Sequence, residues 1–516
     1  MYAYNLFFIC ESRHSLNIRM NKFDAIILTE TPTYPHWTRG YGAHRIATHL
    51  RENGYTVLVV DFSAALTLEV WDKILSLAVG SNTRFVGFST TWWPYRKPKH
   101  NQTHVNLSAN LRDNVSNEYR PSEETDPKTF TEYVALGRGQ VWIDIVKKYN
   151  PKTKILLGGA KIDWYPDFPA DHFLSGYAET EILDFLEQPK RIWNKLINHD
   201  THAESRDWGW LDSFTRYTKY DQIRSDEILT LEAARGCRFK CLYCAFPLIG
   251  KKDVASYIKQ KDALYKELLE NYERWGITSY WIADDTVNDS TEKLQYMAEV
   301  IKLLPFKPRF RCYLRLDILA MNPEQAQLLL DIGMVSCFFG IETFHPKAAK
   351  LIGKGMDQNK RKQALYDAQK IWGDKVSVNA GYIIGLPNET YSDMKESHEW
   401  FMRPECPVHR VYYFPLIINP PGVYPNHPTS ELDRTYEKHG YTIPDLDKHE
   451  YWFKDDGTDV LSFERAFEII KELNDDMDEK PKAVIEQIQY GQGNSIKDPA
   501  TEYFPNLIRM LEENKK

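Results

Sequence analysis

Cysteine is scarce in this chain, seven residues in 516, and three of the seven fall within eight positions. So thin a set cannot make a disulfide framework, and in a reducing compartment a tight group of thiols points to metal or redox chemistry. Glycine and proline number only 26 and 27, far below the share that marks low-complexity chains. No apolar run reaches the roughly eighteen residues that a membrane-spanning helix needs. The formal net charge is −7, so no general basic field draws the chain to nucleic acid or to an anionic membrane. The opening MYAYNLFFICESRHSLNIRMN has a short apolar patch without a basic lead or a small-residue cleavage site. It makes a poor signal peptide, and Met20 competes with Met1 as the start. These exclusions leave an expected cytoplasmic, globular protein of two to four domains, and aromatics at 13% supply ample core.

What is present has two rhythms. Apolar runs at Ala25 to Leu28, Val57 to Val60, Phe85 to Phe88 and Ile155 to Gly159 alternate with helical stretches, one placing Ile46 and Leu50 on a face and stopping at Gly54. Continuous apolar strands of this kind predict a parallel sheet covered on both faces, a doubly wound α/β domain over 20–187 with ligands at the carboxyl ends of its strands. The polar stretch from Lys97 to Phe130 reads as a surface insertion. Residues 188–227 lose the alternation but carry Trp193, Trp208, Trp210 and Tyr217, which predicts packing between domains. Over 228–418 the alternation restarts with strands expected at 228–233, 279–283, 309–316, 335–341, 376–384 and 410–416. Six βα units in series predict a partial (β/α)6 barrel, with its chemistry at the strand C-termini. Residues 419–516 form a C-terminal extension with helices near Phe463 to Leu473 and Phe504 to Glu513. No tandem repeat is present.

Directly after the first barrel strand stands Arg235-Gly236-Cys237-Arg238-Phe239-Lys240-Cys241-Leu242-Tyr243-Cys244, a C-x3-C-x2-C spacing. Buried packing of three cysteines on one helical face is one reading, but Gly236 and Pro247 leave little room for a helix. Structural zinc is another, yet zinc takes four ligands, commonly as paired C-x2-C clusters. Cys10, Cys312, Cys337 and Cys406 are scattered and offer no second cluster. Three thiolates on a four-iron cube leave one iron open to a small molecule.

The triplet in this place resembles the radical S-adenosylmethionine (SAM) superfamily. The resemblance implies a 4Fe–4S cluster on Cys237, Cys241 and Cys244 whose open iron binds the amino and carboxylate groups of SAM. An electron then cleaves the sulfonium, and the resulting 5′-deoxyadenosyl radical abstracts a substrate hydrogen. Tyr243 stands where the family places an aromatic residue near the adenine. Further candidates lie at successive strand rims. Asp284 and Asp285 are placed to hold the SAM ammonium, with helix N-capping as their ordinary role. Arg315 is able to meet a carboxylate as a fork. Glu342, in Gly340-Ile341-Glu342-Thr343, resembles a rim motif that reaches SAM or substrate. Gly381, Ile383 and Gly385 match an adenine-contacting Gly-x-Ile-x-Gly stretch. Asn388 departs from that motif, and Glu389 receives no role.

The N-terminal half resembles the cobalamin-binding domains that precede many radical SAM enzymes. The likeness rests on Tyr41-Gly42-Ala43-His44 through Val57, on Gly87-Phe88-Ser89, on Gly158-Gly159 and on Gly176-Tyr177-Ala178-Glu179. It implies that Ser89, Gly158 and Gly159 cradle a nucleotide-like tail. The family's Asp-x-His-x-x-Gly motif is absent around His36, so the expected cobalamin binding is without a histidine ligand, with His36 as a lower axial ligand the alternative. The resemblances together imply an enzyme that uses a 4Fe–4S cluster, SAM and, as a further candidate, cobalamin, served by an electron donor such as flavodoxin or ferredoxin. With cobalamin the leading outcome is methyl transfer to an unactivated carbon; without it, oxidation, cyclisation or rearrangement. A non-catalytic binding protein with the triplet as a metal clip is the alternative from another class. Neither the substrate nor a catalytic side chain follows from the sequence.

Overall fold

In the computed structural model the chain is described over residues 22–29, 39–90, 93, 126–159, 162, 165–188, 190–198, 210–245, 257–421, 429–444, 452–455, 457, 460–480 and 499–514. Met1, Met20, His36, Trp208 and the expected insertion before Asp126 lie outside these residues.

The N-terminal elements run β1 (Ala25–Leu28), α1 (Tyr41–Glu52), β2 (Val57–Val60), α2 (Leu68–Ala78), β3 (Phe85–Ser89), α3 (Phe130–Ala135), α4 (Gln140–Tyr149), β4 (Lys154–Gly158), β5 (His172–Ser175), α5 (Glu179–Glu187) and β6 (Leu196–Asn198). The sheet is parallel throughout in the order β2-β1-β3-β4-β5-β6. Strands with no polar residue must bury both faces, and they do. Ile26, Leu58, Val86, Ile155 and Leu157 join Trp71 and Trp142 on one side. Ala25, Ile27, Val57, Val59 and Leu156 join Ala47, Leu50 and Ile182 on the other. The strand order reverses between β1 and β3, so a crevice for ligands opens at their carboxyl ends.

The second half runs β7 (Ile228–Leu231), α6 (Lys261–Trp275), β8 (Ser279–Ile282), α7 (Thr291–Ile301), β9 (Arg309–Leu314), α8 (Leu316–Met321), α9 (Gln325–Asp331), β10 (Met334–Glu342), α10 (Pro346–Leu351), α11 (Gln358–Trp372), β11 (Ser377–Ile384), α12 (Tyr391–Met402) and β12 (Arg410–Pro415). Each strand pairs in parallel with the next, and β7 and β12 are the two edges, so the cylinder stays open. Side chains alternate along each strand. Leu229, Leu231, Phe310, Cys337, Phe339, Val378, Ala380 and Tyr413 pack outward with the helices into one core, which turns their neighbours toward the lumen. Gly276 at φ +72° ends α6 and donates its N–H to the Tyr272 carbonyl, a left-handed cap that glycine takes without strain.

The extension adds α13 (Glu431–Thr435), β13 (Tyr441–Thr442), β14 (Phe453–Asp455), β15 (Val460–Ser462), α14 (Phe463–Glu479) and α15 (Tyr503–Glu513). It is therefore not purely helical: β13, β14 and β15 form an antiparallel sheet. Helix α14 packs on β12, whereas α15 returns to α2 of the N-terminal domain, burying Tyr503, Phe504, Leu507 and Leu511 there. The aromatic segment joins the modules. Tyr217 enters the barrel core and its ring lies 4.9 Å from that of His44, while Tyr220 enters the N-terminal core. Arg39 locks the same seam by donating to Asp61 at 2.8 Å and to both Glu227 oxygens at 2.7 and 2.8 Å.

Candidate functional site

Cys237, Cys241 and Cys244 occupy the loop that leaves β7, all half-buried and none in a disulfide. Gly236 at φ +98° turns the chain off the strand, and the Cys244 amide donates to the Cys241 carbonyl at 3.0 Å. No helix forms here, so buried packing on a helical face is set aside. Among the described residues no three His, Cys, Asp or Glu side chains converge closely enough for a single metal ion. A four-iron cube binds each thiolate at a separate iron, and that need is met by three cysteines spread along one loop.

Arg315, at the rim of β9, strengthens the fit. Its Nη1 donates to the Cys241 sulfur at 3.0 Å, and its guanidinium lies 4.0 Å over the centre of the Phe239 ring within the loop. The expected fork exists, but its partner is Asp317: Nε and Nη2 donate to Oδ1 and Oδ2 at 3.1 and 2.7 Å, and Nη2 also reaches the Gly353 carbonyl. Arg315 thus faces the cluster loop rather than standing open to a ligand carboxylate.

The two aspartates part company. Asp284 is 2% exposed; its Oδ1 accepts the amides of Ala233 and Ala234, each at 2.9 Å, and its Oδ2 lies 2.9 Å from Lys293 Nζ. It clamps the root of the cysteine loop, and both oxygens are committed inward, against the expectation of a SAM contact. Neither aspartate caps the following helix, because Ser290 accepts the Lys293 amide at the start of α7. Asp285 remains half-buried at the rim. Burial, then the neighbouring Asp284 charge, push its carboxyl up to about 6.

On β10 the chain bulges between Gly340 and Glu342, and Glu342 takes φ +64°. Its Oε1 accepts from the Tyr243 hydroxyl at 2.8 Å and from Lys354 Nζ at 2.9 Å. Tyr243, Glu342 and Lys354 therefore form one unit linking the third cysteine's neighbour to the rim; Lys354 was invisible in the sequence because its partner comes from a separate loop. Gly381 and Ile383 face the lumen, and a Cβ on Gly381 would stand 2.9 Å from the Phe338 ring. Gly385 serves another purpose. At φ +101° it receives the Trp452 ring, 2.4 Å from where a Cβ would sit, and its carbonyl accepts from the Tyr441 hydroxyl. It docks the small C-terminal sheet rather than opening onto the lumen.

Across the seam, Arg235 stands two positions before Cys237. Its Nη2 donates to Glu179 Oε1 and its Nε to Glu232 Oε1, both at 2.7 Å, and its guanidinium lies 4.2 Å over the Tyr177 ring. The pair is almost fully buried. The carboxyl end of the N-terminal sheet is thereby fastened to the cysteine loop. At that same edge Ser89 is half-buried, Gly159 takes φ +103°, and a Cβ on Gly158 would meet nothing closer than 3.7 Å. Packing among the described residues does not demand glycine at 158.

With this geometry in view, the sequence model of the Radical SAM superfamily matches residues 231–401. The match lies within the barrel, from the end of β7 into α12. Relatives of this chain include an uncharacterized methyltransferase of Pyrococcus horikoshii, 24% identical over 163 residues, covering 31% of this chain and 34% of that one. A hopanoid C-2 methylase of Rhodopseudomonas palustris is 26% identical over 165 residues, 31% of this chain and 30% of that one. The match spans about a third of each relative's length. Among solved structures, the radical SAM methyltransferase TsrM of Kitasatospora setae, with cobalamin and a 4Fe–4S cluster bound, aligns with a TM-score of 0.59 at 13% identity. That alignment covers 95% of this chain and 99% of TsrM. The two proteins share a fold, in which a parallel α/β domain precedes the barrel. No helix among the described residues is long and apolar enough to cross a membrane.

Proposed function

We propose that this chain is a cobalamin-dependent radical SAM methyltransferase. Cys237, Cys241 and Cys244 would hold a 4Fe–4S cluster. SAM would lie between that cluster and the rim formed by Asp285, Glu342 and the Gly381 to Ile383 strand, with cobalamin at the edge that carries Ser89, Gly158 and Gly159. When bound, these groups supply an electron to the SAM sulfonium and a carrier for its methyl group. The chain's own residues do the rest. Asp284 and Lys293 fix the root of the cysteine loop, Arg315 directs an N–H at the Cys241 sulfur, and Tyr243 with Lys354 orients Glu342. Domain limits at 20–187, 188–227, 228–418 and 419–516 belong to this proposal, amended by the return of α15 to the first domain. A reductant of the flavodoxin or ferredoxin kind would deliver the electron, and a cytoplasmic setting follows.

The observation that carries the reading is the buried contact of Arg235 with Glu179 and Tyr177. It holds the ligand edge of the N-terminal domain against the cluster loop, so a methyl carrier and a radical source would share one enclosed space. The matched relatives named as methyltransferases add support. The test is the fate of SAM. The protein is reconstituted anaerobically with iron and sulfide, with and without hydroxocobalamin, then given SAM and a strong reductant. A methyltransferase yields S-adenosylhomocysteine only when the corrinoid is present. 5′-Deoxyadenosine alone, unchanged by the corrinoid, would support a cobalamin-independent oxidation, cyclisation or rearrangement instead. Absence of any SAM-derived product would favour the non-catalytic clip.

A further inference from the structure

A closed barrel fills its interior with layers of branched aliphatic side chains. The lumen here is filled differently. In lumen-facing register stand Trp281 on β8, Tyr313 on β9, Phe338 on β10 and Tyr412 on β12. Their rings form a continuous ladder, with centroids 5.5 Å apart from Trp281 to Tyr313, 5.6 Å from Tyr313 to Phe338 and 5.9 Å from Phe338 to Tyr412. Tyr313 is 39% exposed although it sits mid-barrel, so the ladder presents ring surface to open space rather than to other core atoms. The bare Cα of Gly381, beside Tyr412 in the pairing of β11 with β12, leaves room for the edge of the Phe338 ring.

Beneath the ladder a narrow cleft runs between Trp281, Phe338 and Asn379. Asn379 is 1% exposed. Its Nδ2 donates to Ser377 Oγ at 3.3 Å, while its Oδ1 accepts no hydrogen bond from the described residues. A buried carbonyl oxygen without a donor is unfavourable unless a ligand or water supplies one. The cleft has room for little more than a water-sized group, such as an N–H on the edge of a ring.

Resting on the enzyme reading above, we propose that the substrate of this chain presents a planar aromatic or heteroaromatic ring with an N–H donor on its edge, the face of the ring on the Tyr313–Phe338 ladder and the donor at Asn379 Oδ1. Offset or edge-to-face ring contacts supply the affinity, and the amide oxygen sets the orientation, which fixes the atom turned toward the rim.

The test uses the full chain, reconstituted anaerobically, and equilibrium dialysis of two probe pairs. Indole and indene share a bicyclic frame and differ in the N–H; phenol and cyclohexanol share a hydroxyl and differ in planarity. The proposal expects indole to bind about tenfold more tightly than indene, and phenol about tenfold more tightly than cyclohexanol. Asn379→Leu should abolish the first preference and Phe338→Leu should weaken the second, with iron content certifying that each variant has folded. Failure of the wild type to discriminate within either pair overturns the proposal, as does an unchanged indole-to-indene ratio in a folded Asn379→Leu protein; the wild-type comparison stands even if a variant does not fold. Products from SAM are measured on the same wild-type sample. A sample that cleaves SAM but ignores planarity defeats this inference alone, whereas ring discrimination without SAM cleavage defeats the enzyme reading alone.

Discussion

Replacing Asp284 by asparagine separates a structural clamp from a SAM ligand. The substitution keeps an oxygen for the Ala233 and Ala234 amides but removes the charge 2.9 Å from Lys293 Nζ, a group with no side-chain exposure. Stripping one partner from a buried pair strands the other charge, at a cost of about 3–5 kcal/mol. Lys293 retains the Thr286 carbonyl at 3.0 Å and the Asp289 carboxylate at 3.9 Å, so the low end applies, about 3 kcal/mol. For a domain the size of this barrel that lowers the thermal midpoint by roughly 6–12 °C. Differential scanning of the apo protein reads the shift, and calorimetric titration of SAM into the reconstituted protein reads affinity. The clamp predicts a large loss of stability, little change in SAM affinity per folded molecule, and recovery of stability when Lys293→Met is added. A normal midpoint with a ten- to hundredfold weaker SAM affinity would refute it and return Asp284 to the ligand site.

Three further outcomes follow from the geometry. Arg315→Met removes a cation and an N–H from the Cys241 sulfur, groups that stabilise the more negative reduced cluster; the midpoint potential followed by electron paramagnetic resonance should fall, on the order of 60 mV for a tenfold change in a one-electron equilibrium, and an unchanged potential would detach Arg315 from the cluster. Gly385→Ala forces a side chain onto Trp452 at φ +101° and should cost at least about 2 kcal/mol in chemical unfolding; a neutral result would mean that the C-terminal sheet is not docked there. Burial pushes the Glu389 carboxyl up to about 7, although hydrogen bonds from Tyr382 and Thr343 oppose it. Because the folded form holds this proton more tightly than the unfolded chain, stability is lost as pH rises from about 4.5 through about 7. The full loss is about 3 kcal/mol, and Glu389→Gln should remove that much of the slope; an unaltered pH profile would contradict the burial argument.

The parts legible in the sequence are those whose signal is local. All six barrel strands fall within a residue or two of expectation, because each is a contiguous apolar or alternating run bounded by turn residues, and Gly276 announces the end of α6. Strands β5 and β6, His172–Ser175 and Leu196–Asn198, lack the continuous apolar run that marks β1 and β2. The expected element order also omits Leu68–Ala78, although Trp71, Ile74, Leu75 and Ala78 repeat at helical spacing. The cysteine triplet is legible for the same local reason. Partners are not. Arg315 finds a carboxylate two residues away, Glu342 is held by a lysine twelve residues on, and Arg235 reaches Glu179 across a domain boundary; tertiary packing chose each pairing. The rim positions of Asp284 and Gly385 are as expected, and only the burial around them reveals that one clamps a loop and the other docks a sheet.

In the proposed enzyme one enclosed space joins the cysteine loop to the ligand edge of the N-terminal domain. The most direct test is cofactor stoichiometry after anaerobic reconstitution with iron, sulfide and hydroxocobalamin, followed by desalting. The wild type should hold about four irons and one corrinoid per chain, with a corrinoid spectrum lacking histidine ligation. The Cys237→Ala, Cys241→Ala, Cys244→Ala triple variant should lose the iron while keeping the corrinoid. Wild-type protein that retains no corrinoid, or a triple variant that keeps its iron, would contradict the proposal.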